Sequence, residues 1–224
     1  MENNKTNMEY CKSVALDFLH TEIEQTTIPT IVLHPFFDSS VVLFDSTLFD
    51  ITKNTNAKNK IIIQYELKIN KAENVKEIFH MLRAPYRMQY FSFICDYLNE
   101  KDFAEMLSYS WTNDEYANNN KCVKISRILL LFKKANKQYM MNENDFETFQ
   151  KLPDRVKIYR GVTDYNKDNI KVLSWSLSKK TAEWFSQRFN VPGKVLEKEV
   201  DKKYIYAYFN VKNEQELIVD YNAH

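Results

Sequence analysis

The sequence predicts an α+β protein, helical and mixed in its first two thirds and β-rich after Pro153. Three observations carry that expectation. Apolar residues recur at helical spacing in several stretches before Pro153. Short alternating runs follow it. Only two glycines, Gly161 and Gly193, occur in 224 residues. The third observation also excludes classes. P-loops and dinucleotide fingerprints cluster glycines so that backbone can approach phosphate, so this is neither a Rossmann protein nor a Walker NTPase.

Residues 9–24 place Tyr10, Val14, Phe18 and Ile23 near helical spacing and predict an amphipathic helix. Residues 26–35 interrupt it with β-branched side chains and two prolines. Residues 41–44 and 61–67 read as strands, the second because Ile61-Ile62-Ile63 opens as an apolar run that Tyr65 and Leu67 continue by alternation. The Asn/Lys-rich residues 52–60 between them read as a loop. From Asn74 the texture is helical. Residues 75–83 end before Pro85, 86–98 bring Tyr90, Phe91, Phe93, Ile94 and Tyr97 into a dense apolar band, and 102–109 continue it. Residues 111–120 are polar and read as a loop. Residues 123–134 turn Ile125, Ile128, Leu129 and Phe132 inward and leave Lys124, Arg127 and Lys134 on a solvated face. Residues 144–152 form a short helix that stops at Pro153.

Beyond Pro153, residues 156–159 alternate as a strand that stops at Arg160-Gly161, and 172–177 form a second strand. Residues 181–189 read as one amphipathic helix with Ala182, Phe185 and Phe189 on a shared side. Residues 195–200, 204–211 and 216–220 complete the strands. The chain therefore divides into a mixed portion, 1–73, and a portion 74–224 that is helical over 74–152 and β-rich over 153–224.

Composition bounds function. Lys and Arg number 31 against 30 Asp and Glu, a net charge of +1, so no bulk field draws the chain to nucleic acid or to an acidic membrane. Hydrophobic residues at 44% exclude a disordered chain. Cys11, Cys95 and Cys122 are too widely spaced for a disulfide framework or a zinc ribbon, and four dispersed histidines offer no ligand cluster. The expectation is no metal. His34 and His80 read as structural. The first nine residues are polar, no apolar run approaches a membrane span, and a cytoplasmic protein is expected.

Three pairs of residues in the β-rich portion carry chemistry. Arg160 follows a strand and precedes a glycine, which suits close approach to phosphate oxygens; a structural Arg-Gly turn is the alternative. In Ser174-Trp175-Ser176, alternation sends both serines to one face and Trp175 to the other. In Glu214-Gln215-Glu216, an extended backbone would project both carboxylates to one side, where their repulsion raises a pKa and favours a cationic ligand or transition state; a solvated turn is the alternative. Arg188, on the helix after the serine strand, is a candidate phosphate ligand or a solvated helix arginine. Trp184 and Phe185 read as core rather than as a nicotinamide platform.

The ordered set Arg-Gly, Ser-x-Ser and Glu-x-Glu, each at a strand, resembles the arginine–serine–glutamate class of mono-ADP-ribosyltransferases. The matching residues are Tyr159-Arg160-Gly161, Ser174-Trp175-Ser176 and Glu214-Gln215-Glu216, and the resemblance covers about residues 153–221. Trp175 stands where that family usually has threonine. The resemblance implies an ADP-ribosyltransferase-like fold, with two small, mostly antiparallel sheets and flanking helices around a cleft for NAD.

It further implies transfer of ADP-ribose from NAD, used as co-substrate, to an acceptor. Arg160 would hold a phosphate or the adjoining ribose, and Gly161 would let backbone reach the nicotinamide amide. Ser174 would hold the catalytic glutamate, with Ser176 beside it in the NAD site. Glu216 would bond the ribose and stabilise the oxocarbenium-like state, and Glu214 would orient and deprotonate an acceptor guanidinium. The implied acceptor is an arginine of a protein. NAD hydrolysis or transfer to nucleic acid are the alternatives within enzymes, and an inactive interaction protein is the third reading. Toxins, phage-delivered modifiers and toxin–antitoxin pairs are the settings the resemblance suggests, with an antitoxin or inhibitor as a partner.

Overall fold

The computed structural model describes residues 5–44, 46–115, 117–169, 171–188 and 191–223. It is an α+β structure of two compact units, Met1–Met106 and Leu107–His224. The change of sequence texture at 73/74 lies inside the first unit.

The first unit opens with α1 (Met8–Leu19), followed by two antiparallel ribbons, β1 (Glu24–Gln25) with β2 (Val32–Leu33) and β3 (Val41–Phe44) with β4 (Thr47–Asp50). Helices α2 (Thr55–Lys71), α3 (Val75–Met81) and α4 (Ala84–Ile94) complete it. Asparagine starts several of these helices: the side chains of Asn7, Asn54 and Asn74 accept from the backbone N–H of Tyr10, Ala57 and Glu77. Each such cap satisfies a donor the helix cannot satisfy itself, worth about 1 kcal/mol.

Asn54 explains a correction. The strand expected at 61–67 is the middle of α2, and the loop expected at 52–60 holds its cap and first turn. Ala57, Ile61 and Ile69 are buried while Ile63 and Leu67 are exposed, a repeat of four rather than two. Packing of that face decides the conformation over the β preference of the isoleucines. The core beside it centres on Tyr90, whose hydroxyl donates to the Cys11 carbonyl at 2.8 Å and whose ring meets the edges of Phe79 and Phe18. His34 is part of this unit's structure. It is buried, stacked on Phe37, accepts from the Phe36 N–H at Nδ1 and donates from Nε2 to the Leu19 carbonyl.

Helix α5 (Glu100–Thr112) runs through the division between the units. The second unit continues with α6 (Ile125–Lys134), α7 (Lys137–Met140) and α8 (Glu143–Gln150). Then come β5 (Arg155–Thr163), β6 (Ser174–Ser176), α9 (Lys179–Ser186), β7 (Gly193–Asp201), β8 (Ile205–Phe209) and β9 (Glu216–Val219). Phe189, assigned by spacing to the helix that is α9, lies outside the described residues.

The strands form one antiparallel sheet in the order β7-β5-β6-β9-β8, where a pair of small sheets was expected. Its continuity is uneven. β5 and β7 pair from Arg155↔Asp201 to Thr163↔Gly193, whereas β5 and β6 share a single register pair, Tyr159↔Ser176. Two ladders are thus joined by one bridge. β5 does not stop at Arg160-Gly161 as the sequence suggested, because β7 pairs along its whole length. Leu217, Ile218 and Val219 are all buried, so β9 is covered on both faces.

The two glycines have one purpose. A Cβ on Gly161 would stand 2.1 Å from the Ala182 carbonyl oxygen, and one on Gly193 would stand 1.9 Å from that of Ser186. Both make room for α9 against β5 and β7, and neither adopts a left-handed φ. No helix among the described residues is long and apolar enough to cross a membrane.

Candidate active site

Arg160 sits where strand alternation would place an apolar side chain. Val156, Ile158 and Val162 form the buried row of β5, and Arg160 completes it. Its Nη1 donates to the Ser174 carbonyl at 2.7 Å, while its Nε is buried without a hydrogen-bond partner among the described residues. Burial pulls the guanidinium down to about 10 and the charge of Glu216 opposes that pull, so the group is cationic at neutral pH.

Glu216 opens β9, in register with Ser176 on one side and Phe209 on the other. Trp111 Nε1 donates to its Oε1 at 3.1 Å, and the nearby Ser174 side chain favours the ionised form of the same carboxylate. Burial pushes the Glu216 carboxyl upward. The bonds from Ser174 and Trp111 and the charge of Lys212 pull it down, and the charge of Glu214 adds to the rise. The net direction is up. The result is a half-buried carboxylate anchored by the Trp111 donor, with Ser174 and the cationic Arg160 nearby, a preorganised negative charge.

The segment before Glu216 is not extended, which corrects the sequence argument for its two carboxylates. Gln215 has φ 49° and Asn213 φ 56°, both left-handed. Such values favour glycine or asparagine, so Gln215 needs support from its neighbours. Its N–H donates to Asn210 Oδ1 at 3.2 Å, and its carbonyl accepts from Leu177 N–H at 3.0 Å. Ser176 Oγ donates to the Glu214 carbonyl at 2.7 Å and accepts from the Ser178 N–H. The turn, rather than strand alternation, places Glu214 and Glu216 together. The two serines also part company: Ser174 lies near the Glu216 carboxylate and Ser176 serves the turn.

Arg160, Gly161, Ser174, Ser176, Arg188, Glu214 and Glu216 all line one cleft of about 440 Å³, a volume within the range of small-molecule sites. Gly161 is there as the seat of α9 as well as a wall of the cleft. Arg188 lies just beyond α9, exposed, with its guanidinium 4.8 Å over the Trp184 ring and 5.2 Å over Phe185. Trp184, expected in the core, is 57% exposed on the cleft wall. Trp175 carries Lys198 Nζ 4.8 Å over its ring, and its buried Nε1 has no hydrogen-bond partner among the described residues.

Two residues of the site escaped the sequence reading. Trp111 belongs to the last turn of α5, not to a polar loop, and is buried against the edge of Phe132. Ala104, Leu107 and Trp111 are all buried, and carrying that three-and-four spacing past residue 109 would have found it. Asn118 accepts from the N–H groups of Leu173 and Ser174 at 2.9 and 3.3 Å, fixing the entry to β6; a lone asparagine in an Asn run carries no such signal. Among the described residues no group of three or more His, Cys, Asp or Glu side chains is placed to hold a metal ion. Comparison with known proteins matches the chain to no family model, no curated protein and no solved structure.

Proposed function

We propose that the chain is a mono-ADP-ribosyltransferase of the arginine–serine–glutamate class, with the corresponding fold, that transfers ADP-ribose from NAD to an arginine of a protein. The observation that supports this best is the meeting of Arg160 from β5, Ser174 from β6 and Glu216 from β9, the three residues that carry the motif resemblance, in one cleft. The uneven sheet is in keeping with it, since the ladder carrying Arg160 and the ladder carrying Ser174 and Glu216 are joined by one bridge. The Arg160 Nε, without a partner among the described residues, suits a ligand rich in phosphate and hydroxyl oxygens.

In this reading Arg160 and Arg188 bind the dinucleotide's phosphate and ribose oxygens. Glu216 accepts from the 2′-hydroxyl of the nicotinamide ribose. The bond between C1′ and the nicotinamide nitrogen breaks, its electron pair leaves with nicotinamide, and the positive charge left on the ribose is stabilised by the fixed carboxylate of Glu216. A guanidinium nitrogen of the acceptor then bonds to C1′ and yields its proton to Glu214. One preorganised charge of this kind lowers the barrier by about 3–4 kcal/mol.

The test follows nicotinamide release and acceptor labelling from NAD labelled in the adenylate half, for wild type and Glu216→Gln. Wild type is expected to release nicotinamide and label protein, with the label lost on protease and not on nuclease treatment. Label lost on nuclease treatment moves the acceptor to nucleic acid, and nicotinamide release without label makes the protein a glycohydrolase. No release at all from wild type rejects NAD chemistry.

A further inference from the structure

We propose that Trp111 is a positioning residue for Glu216: its indole N–H, delivered from the last turn of α5, fixes the orientation of the carboxylate that the proposed reaction needs. The inference rests on the reading of Glu216 given above, but the contact itself does not. The indole Nε1 donates to Oε1 at 3.1 Å. The donor cannot swing away, because Trp111 is 2% exposed and its ring stands edge-on to Phe132 at 5.3 Å. Indole can only donate, so the bond is oriented one way and favours the ionised carboxylate.

The geometry distributes tasks. Ser174 supplies a rotatable hydroxyl that can exchange partners, whereas Trp111 supplies a buried indole that can only donate. A carboxylate carrying only the serine bond could turn about its side-chain torsions. Anchoring one oxygen from the helix leaves the remaining lone pairs for a ligand hydroxyl. The groups that set the charge state of Glu216 come from every side of it: Arg160 from β5, Ser174 from β6, Lys212 and Glu214 from the preceding turn, and Trp111 from α5. Within that set Trp111 is a neutral donor, so its removal changes the bond without changing the net charge of the site.

The sign follows directly. Losing a donor to the ionised form raises the pKa of the carboxyl further, so a larger fraction is protonated at a given pH. Trp111→Phe keeps an aromatic ring against Phe132 and deletes the N–H. The expected result is a kcat for nicotinamide release reduced roughly tenfold, a smaller change in KM for NAD, and an acid limb of the pH–rate profile displaced upward by about one unit. Phe132→Leu is the companion variant. It loosens the packing of the indole but keeps the donor, so it should lower thermal stability and leave the acid limb in place.

A second measurement needs no turnover. The Nε1–H proton resonance of Trp111 in the full-length protein should shift as Glu216 titrates, and that step should disappear in Glu216→Gln. A Trp111 resonance with no such step overturns the inference. So does a Phe132→Leu variant whose acid limb moves as far as that of Trp111→Phe, since the role would then be packing alone. If the resonance titrates with Glu216 and wild type releases no nicotinamide, the proposed reaction fails and the Trp111–Glu216 link stands.

Discussion

Arg160 Nη1 donates to the main-chain carbonyl of Ser174 at 2.7 Å, tying β5 to β6 where the two strands otherwise share a single register pair. One side chain thus closes the sheet's weakest seam and presents its guanidinium beside Glu216. Replacing it by lysine keeps a charge but loses the planar fork that reaches both sides. Arg160→Lys is expected to weaken binding of ADP-ribose by roughly a hundredfold, as the loss of a charge-assisted pair would, while circular dichroism remains that of the folded protein. Titration calorimetry with ADP-ribose checks it; unchanged affinity would remove Arg160 from the binding site.

The seat of α9 makes a prediction about stability alone. At Gly161 the neighbour that an added methyl would meet is backbone, the Ala182 carbonyl oxygen, at 2.1 Å, and backbone cannot rotate aside. Gly161→Ala should therefore destabilise by about 1–3 kcal/mol, the usual range for overpacking, and Gly193→Ala, against the Ser186 carbonyl, should do the same. Urea midpoints measure it. A Gly161→Ala protein as stable as wild type would mean that α9 does not lie this close to β5.

His34 predicts acid sensitivity in the first unit. Burial lowers its pKa from 6.5 to about 4, with bonds to the backbone of Leu19 and Thr21 opposing the shift. The unfolded chain therefore binds this proton more readily than the folded one. The stability it contributes is complete above the unfolded value and is lost as pH falls from about 6.5 toward 4. Wild type should lose on the order of a few kcal/mol across that window from this group. His34→Gln should be less stable at pH 7 but show a flatter slope below it. Parallel pH-dependent slopes for the two proteins would contradict the buried neutral imidazole.

Much of this was readable in the residues themselves, and the misses have physical causes. Spacing located α3, α4, α6 and the strands of the second unit to within a few residues, because each buries at least one face, while the helix expected over 9–24 ends at Leu19. It failed at Ile61-Ile62-Ile63, where a β-branched run of three hides a four-residue repeat through Ala57, Ile61 and Ile69. Arg160, Ser174 and Glu216, singled out in the sequence, do line one cleft, and a charge in the row Val156, Ile158, Val162 is a further signal at Arg160, since a cation on a buried face needs a partner. What the sequence could not show was the left-handed turn at Asn213 and Gln215 or the bond from Trp111 to Glu216, which joins residues 105 positions apart.

The two glutamates should separate by function. Glu216 is held by Trp111, Ser174 and the field of Arg160, whereas Glu214 lies across the left-handed Gln215, with its carbonyl latched by Ser176. A carboxylate carried on this turn, apart from the Trp111 bond, can meet an acceptor without taking part in nicotinamide departure. Glu214→Gln is accordingly expected to keep NAD hydrolysis by water and to lose transfer to a small guanidino acceptor by about 10²–10⁴-fold, the span of general-base assistance. Glu216→Gln should lose both activities, by ~10²-fold or more. Nicotinamide release and acceptor labelling, followed side by side for the two variants, decide the matter. Arginine labelled by Glu214→Gln at the wild-type rate would sink the acceptor assignment. If hydrolysis and transfer fall together in that variant, Glu214 acts by holding the turn that positions Glu216, and Ser176→Ala, which unlatches the same turn, should then reproduce the loss.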